Sequence, residues 1–271
     1  MITGAVICEY NPFHNGHKYM LDMMRLDGCD YIVAVMSGSF TQRGDVAVYS
    51  KFERTEAALC AGADLVIELP CVWAVSSAQR FAKGGCDIIK ALGCVDRVYF
   101  GSESGDIELL KSAANATEDK DVNSLIAQYM KEGDYYPVAT EKAVRNLCGN
   151  KLADTLTSPN NTLGIEYIKA LAASHIEIRT IKRTGVDHDS AETTENIASA
   201  SKIRELINKG TDHSDFVPHK NKNANPAFYE NGERAILCKL RSMSAEEFEN
   251  LPDVTEGLHN RILTCAKSFS N

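Results

Sequence analysis

Short apolar runs alternate with segments of helical spacing along the first two thirds of the chain. Runs typical of buried strands cover residues 4–8, 31–36, 64–69, 97–100 and 176–181. Apolar residues recur at helical spacing in residues 18–25, about 50–61, about 76–92 and 163–171. Repeated alternation of strands and helices predicts an α/β fold with a doubly wound, mostly parallel sheet.

Two stretches depart from this alternation. Residues about 106–150 look helical and polar, so we predict a helical insertion over one edge of the sheet. Residues 211–230 are rich in Asn, Lys, Pro and His, and helical patterns follow at about 233–242, 244–250 and 256–268. We therefore predict one α/β domain over residues 1–215, then a linker and C-terminal helical segment over residues 216–271. Because roughly 45 residues seldom bury enough surface to be stable alone, we expect further chain or association to complete this segment.

Composition and charge limit the classes of function. The chain has 271 residues, of which 44% are hydrophobic, enough for a large domain with a core. Its net charge of −8 argues against a protein that coats nucleic acid nonspecifically, because such binding relies on Lys and Arg. No apolar run approaches the roughly 20 residues that span a bilayer, and the N-terminus lacks a signal-peptide pattern. We expect the protein to stay in the cytoplasm.

The cysteines do not form a pattern typical of a disulfide framework or a zinc site. There are nine, an odd number, and none of them forms a Cys-x-x-Cys pair. Most lie in apolar segments, so we interpret them as reduced, buried side chains. The run Asp187-His188-Asp189 lacks a further convincing ligand and is interpreted as part of a loop. We predict no metal site formed by protein ligands.

The junction between the first strand and the first helix carries the sequence His14-Asn-Gly-His17. A helix N-terminus offers unpaired N–H groups that suit a phosphate, and Gly16 lets that phosphate approach the backbone. Two histidines three residues apart would project toward the same anion. Alternatively, the two histidines cap a turn or bind a metal.

A second cluster, Ser199-Ala-Ser-Lys-Ile-Arg204, begins a short helical pattern in the last third of the chain. Ser199 or Ser201 suits the N-cap position, and Lys202 and Arg204 could grip a polyphosphate. On its own the cluster could equally be a capped surface helix. Together, the two clusters favour a phosphate site.

These motifs and several others resemble those of one family of nucleotidyltransferases. His14 to His17 and Ser199 to Arg204 are similar to the two signatures of the HIGH nucleotidyltransferase superfamily. The chain further resembles the bacterial tRNA(Met) cytidine acetate ligases in five separated blocks, which are residues 8–17, 36–44, 100–103, 158–161 and 181–183. The resemblance implies a Rossmann-like fold of the HIGH nucleotidyltransferase type, with the ATP-binding domain in residues 1–215.

The resemblance also implies a reaction and a set of site residues. The family activates acetate with ATP, as acetyl-adenylate, and acetylates N4 of the wobble cytidine of elongator tRNA(Met). Residues implied to act on the phosphates are His14, His17, Lys202 and Arg204. Residues implied to bind ATP are Ile7, Cys8, Glu9, Tyr10, Asn11, Pro12, Phe13, His14, Asn15, Gly16, His17, Lys18, Tyr19, Met20, Gly101, either Asn160 or Asn161, Arg183, Ser199 and Ser201.

The implied chemistry needs no nucleophile from the protein. An acetate oxygen would attack the α-phosphorus, while the histidines hydrogen-bond phosphate oxygens and Lys202 and Arg204 hold the β- and γ-phosphates. Mg²⁺ is expected as a bridging cation held mainly by phosphates and water.

Several of these assignments have structural alternatives. Gly101 could serve only as a turn, the two asparagines could be N-caps, and Arg183 could be a surface residue. The cations Arg43, Lys51 and Arg54 could face tRNA phosphate or substrate, or could simply be solvated.

Two other functions use similar motifs. One is a small-molecule adenylyltransferase that joins AMP to a nucleotide or to pantetheine phosphate. The other is a non-catalytic protein that binds RNA or nucleotides. Acetate dependence of ATP–pyrophosphate exchange separates the first from the ligase, and loss of turnover in a folded His17→Ala variant argues against the second.

Overall fold

A parallel five-stranded sheet forms the centre of the molecule. The computed structural model describes residues 1–183, 196–219, 225–251, 254 and 257–268, so Asp187 to Asp189 lie outside the described residues. The strands are β1 (Thr3–Cys8), β2 (Tyr31–Ser37), β3 (Leu65–Leu69), β4 (Arg97–Ser102) and β5 (Glu177–Lys182). Their order is β3-β2-β1-β4-β5, and all four pairings are parallel. The chain order reverses between β1 and β4, and ligands of such sheets bind in the crevice at that point.

Helices cover both faces of the sheet, which confirms the doubly wound fold. The helices before β5 are α1 (Asn15–Leu26), α2 (Lys51–Cys60), α3 (Cys71–Ala74), α4 (Ala78–Leu92), α5 (Ile107–Glu118), α6 (Lys120–Lys131), α7 (Tyr136–Cys148), α8 (Asn150–Thr155) and α9 (Pro159–Leu171). After β5 come α10 (Ala200–Asn208) and a 3₁₀ turn (Ser214–Phe216). The last helices are α11 (Tyr229–Ser242), α12 (Ala245–Glu249) and α13 (Leu258–Ser268).

Alternate residues of β1 belong to two different apolar cores. Ile7 packs with α4 and α9 on one face, whereas Val6 and Cys8 pack with α1 and α2 on the other. Close approach on the first face depends on glycine: a Cβ added at Gly85 would lie 2.7 Å from Ile7 Cδ1. One added at Gly164 would overlap the ring of Phe100. The small helix residues therefore bring α4 and α9 directly against β1 and β4.

The predicted insertion at about 106–150 is helical, and it corresponds to α5, α6, α7 and the start of α8. Leu110, Ala113 and Ala114 of α5 belong to the core of the sheet. The later helices form a smaller core around Val122, Ile126 and neighbouring alanines. The insertion is thus anchored to the sheet through its first helix.

The chain divides into two compact units, Met1–Pro226 and Ala227–Asn271. The second has a small core of its own around Met243, Phe248 and Leu263. The predicted division of roles between residues 1–215 and 216–271 stays a prediction. Within the described ranges, no helix is both long enough and apolar enough to cross a membrane.

Two sequence interpretations are wrong. Helix α9 begins at Pro159, so Asn160 and Asn161 lie in its first turn and Ser158 takes the N-cap position. All nine cysteines are free as predicted, but only Cys8, Cys29 and Cys86 are buried. The other six are exposed, because an apolar stretch on a helix or at a strand end still turns one side toward water.

Candidate functional site

A cavity of about 490 Å³ opens at the carboxyl ends of β1, β4 and β5. Its size suits a small-molecule ligand. Glu9 follows β1, Gly101 lies near the end of β4, and Arg183 follows β5. The start of α10 and the loop after β2 complete the wall. The cavity therefore occupies the crevice that the strand order predicts.

The two histidines of the first signature form the N-terminal cap of α1. His14 is the N-cap residue and is buried, and its Nδ1 accepts the N–H of Gly16 at 3.1 Å. The backbone N–H of His14 in turn donates to Nδ1 of His17 at 3.2 Å. The two rings are stacked, with centroids 3.7 Å apart. The capping alternative raised from the sequence is therefore the local structure.

The capping bonds use the same ring nitrogen, Nδ1, in both histidines. A neutral imidazole carries its proton on one nitrogen and accepts with the other. Because Nδ1 of both His14 and His17 accepts a backbone N–H, the proton of each neutral ring lies on Nε2. Both residues line the cavity. An Nε2–H group is the kind of donor that a phosphate oxygen accepts, and the role of the two histidines toward a ligand stays a prediction.

The second signature is fastened directly to the first. Arg204 donates from Nη1 to the carbonyl of Asn11 at 2.7 Å and from Nη2 to Ser201 Oγ at 3.1 Å. Asn15 donates from Nδ2 to the carbonyl of Asn196 at 2.7 Å, just before α10. These bonds join segments nearly two hundred residues apart along the chain, as the pairing of the two motifs predicted.

Within the second signature, Ser199 is the N-cap. Its Oγ accepts the N–H of Lys202 at 3.1 Å, which settles the choice between Ser199 and Ser201. Ser199 and Arg204 line the cavity, whereas Ser201 and Lys202 do not. The amine of Lys202 pairs with Glu205 at 2.9 Å. Hydrogen bonds from Lys209 and from Lys202 lower the pKa of Glu205 to about 2.

On the β4 and β5 side, the cavity wall combines glycine, asparagine and arginine. A Cβ at Gly101 would lie 3.3 Å from Arg183 Cγ and 3.4 Å from Met20 Cε, so glycine keeps this wall open. Asn160 lines the cavity, and its Nδ2 donates to Glu103 Oε1 at 2.7 Å. Asn161 is buried, and its Oδ1 accepts the N–H of Glu103 at 3.1 Å. Of the two asparagines, the structure brings Asn160 to the cavity and uses Asn161 to hold the loop after β4.

The block 7–20 is divided between the cavity and its supports. Its cavity-lining members are Ile7, Cys8, Glu9, Tyr10, Asn11, His14, Gly16, His17, Tyr19 and Met20. Pro12 and Phe13 instead line a second cavity of about 380 Å³, and Lys18 pairs with Asp22 at 2.7 Å. Burial raises the pKa of the Cys8 thiol, which therefore stays protonated and is not a nucleophile. The roles of all these residues toward a ligand stay predictions.

Sequence reasoning misjudged Arg54, which is neither solvated nor available to tRNA. Its side chain is 1% exposed. It donates to the carbonyls of Tyr49 and Ser37, both at 3.1 Å, and to those of Glu9 and Gly38. Burial lowers the pKa of the guanidinium. Arg54 therefore ties the ends of β1 and β2 together behind the cavity. Ala57 and Ala58, three and four residues later, are also buried. This helical spacing is the sequence signal from which the inner position of Arg54 could have been predicted.

A loop that connects β2 to α2 also reaches the cavity. Thr41, Gln42, Arg43 and Asp45 line it, and of these the sequence had raised only Arg43, as a cation that faces substrate or tRNA or is solvated. The backbone N–H of Gln42 donates to Glu9 Oε1 at 2.7 Å. Lys51, by contrast, pairs with Glu68 at 2.6 Å and does not line the cavity.

Comparison with known proteins agrees with the geometry. The family model of the HIGH nucleotidyl transferases matches residues 1–271. The tRNA(Met) cytidine acetate ligase of Acetivibrio thermocellus is 38% identical over 284 residues, which cover 97% of this chain and 68% of that protein. Crystal structures of Thermotoga maritima TmcAL superpose with TM-scores of 0.92 without ligand and 0.90 with alpha-thio ATP bound, at 35% identity. They match all of this chain and, respectively, 69% and 68% of the crystallised chains.

Proposed function

Because the chain belongs to the tRNA(Met) cytidine acetate ligase family of HIGH nucleotidyl transferases, we propose that it activates acetate with ATP and acetylates a tRNA. The acceptor would be N4 of the wobble cytidine of elongator tRNA(Met). The observation that carries the proposal is the convergence of His14, His17 and Arg204 on one cavity at the crevice of the sheet. A similar protein that matches the whole chain was crystallised with alpha-thio ATP.

In the first step, an acetate oxygen forms a bond to the α-phosphorus of ATP. The bond from that phosphorus to the bridging oxygen breaks, and pyrophosphate leaves with the electron pair. Catalysis then consists of positioning and charge stabilisation. The Nε2–H groups of His14 and His17 would donate to phosphate oxygens as charge builds up. The start of α10, with Ser199 and Arg204, would hold the leaving pyrophosphate.

The proposed route needs no thioester between the acyl group and the enzyme. Among the described residues, Cys8 is the one thiol that lines the cavity, and its raised pKa keeps it protonated. In the second step, the N4 amine of cytidine would attack the acetyl carbonyl, AMP would leave, and the amine would lose a proton. Both steps then use the same reacting carboxyl group, first as nucleophile and then as electrophile.

Mg²⁺ fits this cavity as a partner of the phosphates. Two carboxylates, Glu9 and Asp45, line the wall. No cluster of three or more metal-ligating side chains occurs in the part of the chain that the structure describes. A Mg²⁺ ion held by one or two carboxylates, phosphate oxygens and water suits this donor set. Its chemistry would be to neutralise charge on the phosphates.

The proposal is tested by incubating the protein with ATP, Mg²⁺ and acetate and seeking acetyl-adenylate by mass spectrometry. ATP–pyrophosphate exchange should require acetate, and added tRNA(Met) should then gain an acetyl group. ATP–pyrophosphate exchange that is independent of acetate but is stimulated by a phosphorylated metabolite would instead indicate a small-molecule adenylyltransferase. Since the acceptor is tRNA, we place the reaction in the cytoplasm.

A further inference from the structure

Arg43 lies at the tip of a small hairpin that follows β2. Phe40 and Val46 form an antiparallel bridge at its base. At the tip, the N–H of Thr41 donates to the carbonyl of Asp45, and the N–H of Gly44 donates to that of Thr41, both at 2.9 Å. Gly44 has a φ of 83°, which glycine adopts without strain and which closes the turn. Arg43 is thus carried by an ordered turn.

Two side chains of the first signature block hold this hairpin in place. Glu9 Oε1 accepts the N–H of Gln42 at 2.7 Å, and Asn11 Oδ1 accepts the N–H of Val48 at 2.7 Å. Gln42 is the direct neighbour of Arg43, and Asn11 also receives Arg204 through its carbonyl. The backbone of Arg43 is therefore fixed relative to the turn that carries His14. Such fixed placement is what an in-line displacement requires of its reactants.

Arg43 is exposed and lines the cavity, and its guanidinium has no hydrogen bond or ion pair with any residue of the described ranges. The cavity-lining Arg204 is bonded to Asn11 and Ser201, and Arg54 behind the wall is bonded to four carbonyls. An ordered turn that holds an uncompensated cation at a cavity provides a binding group for an anion. The planar guanidinium fits a carboxylate with two parallel hydrogen bonds.

The sheet order determines from which side Arg43 reaches the cavity. Strand β2 borders β1 on the side away from β4 and β5. Gly101, Asn160 and Arg183, which the family resemblance implies as ATP-binding residues, belong to the β4, α9 and β5 side. The turn with His14 follows β1, between these two sides. Arg43 therefore reaches the cavity from the β2 side, opposite the side of Gly101, Asn160 and Arg183.

We propose that Arg43 binds the carboxylate of acetate and orients one of its oxygens toward the α-phosphorus of ATP. This inference rests on the proposed function. A phosphate of the RNA backbone is the competing ligand, but a contact with it would need neither the cavity nor the fixed turn. A short carboxylate that must meet phosphorus in line needs both.

The experiment is ATP–pyrophosphate exchange with varied acetate, comparing wild type with Arg43→Ala and Arg43→Lys. For Arg43→Ala we expect KM for acetate to rise roughly 10- to 100-fold, as for the loss of a charged hydrogen-bonding partner. KM for ATP should stay unchanged. KM for acetate in Arg43→Lys should lie between the values for wild type and Arg43→Ala, because an ammonium cannot form the two parallel hydrogen bonds. Added guanidinium ion should lower the raised KM of Arg43→Ala.

Arg234→Ala is the matched control, since Arg234 is an exposed arginine of α11 that does not line the cavity. It should leave every constant unchanged, and the thermal unfolding of all variants should match wild type. An unchanged KM for acetate in Arg43→Ala would overturn the inference. The inference would also be overturned if Arg43→Ala raised only KM for ATP, or raised only KM for tRNA in the full acetylation assay. Wild-type exchange that does not depend on acetate would instead overturn the proposed function, and this inference with it.

Discussion

Replacing Arg54 with alanine removes a side chain that satisfies four backbone carbonyls at the ends of β1 and β2 and at Tyr49. Each buried acceptor left without a donor costs about 1 kcal/mol or more, so the four together cost about 4 kcal/mol. A typical native domain is stable by only about 5–15 kcal/mol. Arg54→Ala should therefore lose a large share of the free energy of unfolding.

The assay is urea unfolding followed by tryptophan fluorescence, because the single tryptophan, Trp73, lies in the same unit as Arg54. Arg54→Lys retains a cation with three donors but lacks the forked guanidinium group, and we expect its free energy of unfolding to fall by about half as much as in Arg54→Ala. It also keeps the test informative if the alanine variant does not fold. Arg234→Ala, on the surface, should stay within about 0.5 kcal/mol of wild type. A loss below about 1 kcal/mol in Arg54→Ala would refute the view that this side chain ties the two strand ends together.

Three further substitutions or reactions test the site. His17→Ala should lower the rate of acetyl-adenylate formation about 100- to 1000-fold, as for loss of one preorganised donor. His17→Gln can still accept the N–H of His14, so it should restore the free energy of unfolding but not the full rate of acetyl-adenylate formation. Gly101→Ala should raise KM for ATP without changing KM for acetate, measured in the same exchange assay, because its Cβ would narrow the wall beside Arg183. Iodoacetamide at mildly alkaline pH should label the six exposed cysteines but not Cys8, because burial and a raised pKa disfavour its thiolate form. Labelled Cys8 in the folded protein, found by peptide mass spectrometry, would contradict this prediction.

Local patterns predicted much of the fold. The apolar runs located all five strands to within two residues at either end, because buried parallel strands have a distinctive composition. The helical pattern predicted from about residue 50 agrees with the start of α2 at Lys51, where Ser50 and Glu53 form a capping box. The helical pattern was assigned from residue 163, whereas α9 begins four residues earlier, at Pro159. Proline in the first turn after a serine is itself a signal of a helix start.

The parts of the site that the sequence could not supply depend on long-range packing. Nothing near Arg204 indicates that its guanidinium would bond the carbonyl of Asn11, 193 residues away. The choice between Asn160 and Asn161 required the position of Glu103, which arrives from another strand end. Arg54 was judged by its charge, which usually favours the surface, rather than by the helix face that it shares with two buried alanines.

The bond from Arg204 to Asn11 makes the proposed phosphate site depend on the folding of the whole first unit. All five strands except β1, and the helices α2 to α9, lie between the two signatures along the chain. A partly folded chain that lacks α10 therefore presents only part of the cavity wall. A ligand that contacts both signatures binds the complete unit and not its fragments. Its binding free energy therefore makes unfolding of the unit more cooperative. At one hundred times its dissociation constant, such a ligand adds about 2.7 kcal/mol to stability. ATP would in this way act as the last structural element of the unit whose chemistry it supplies.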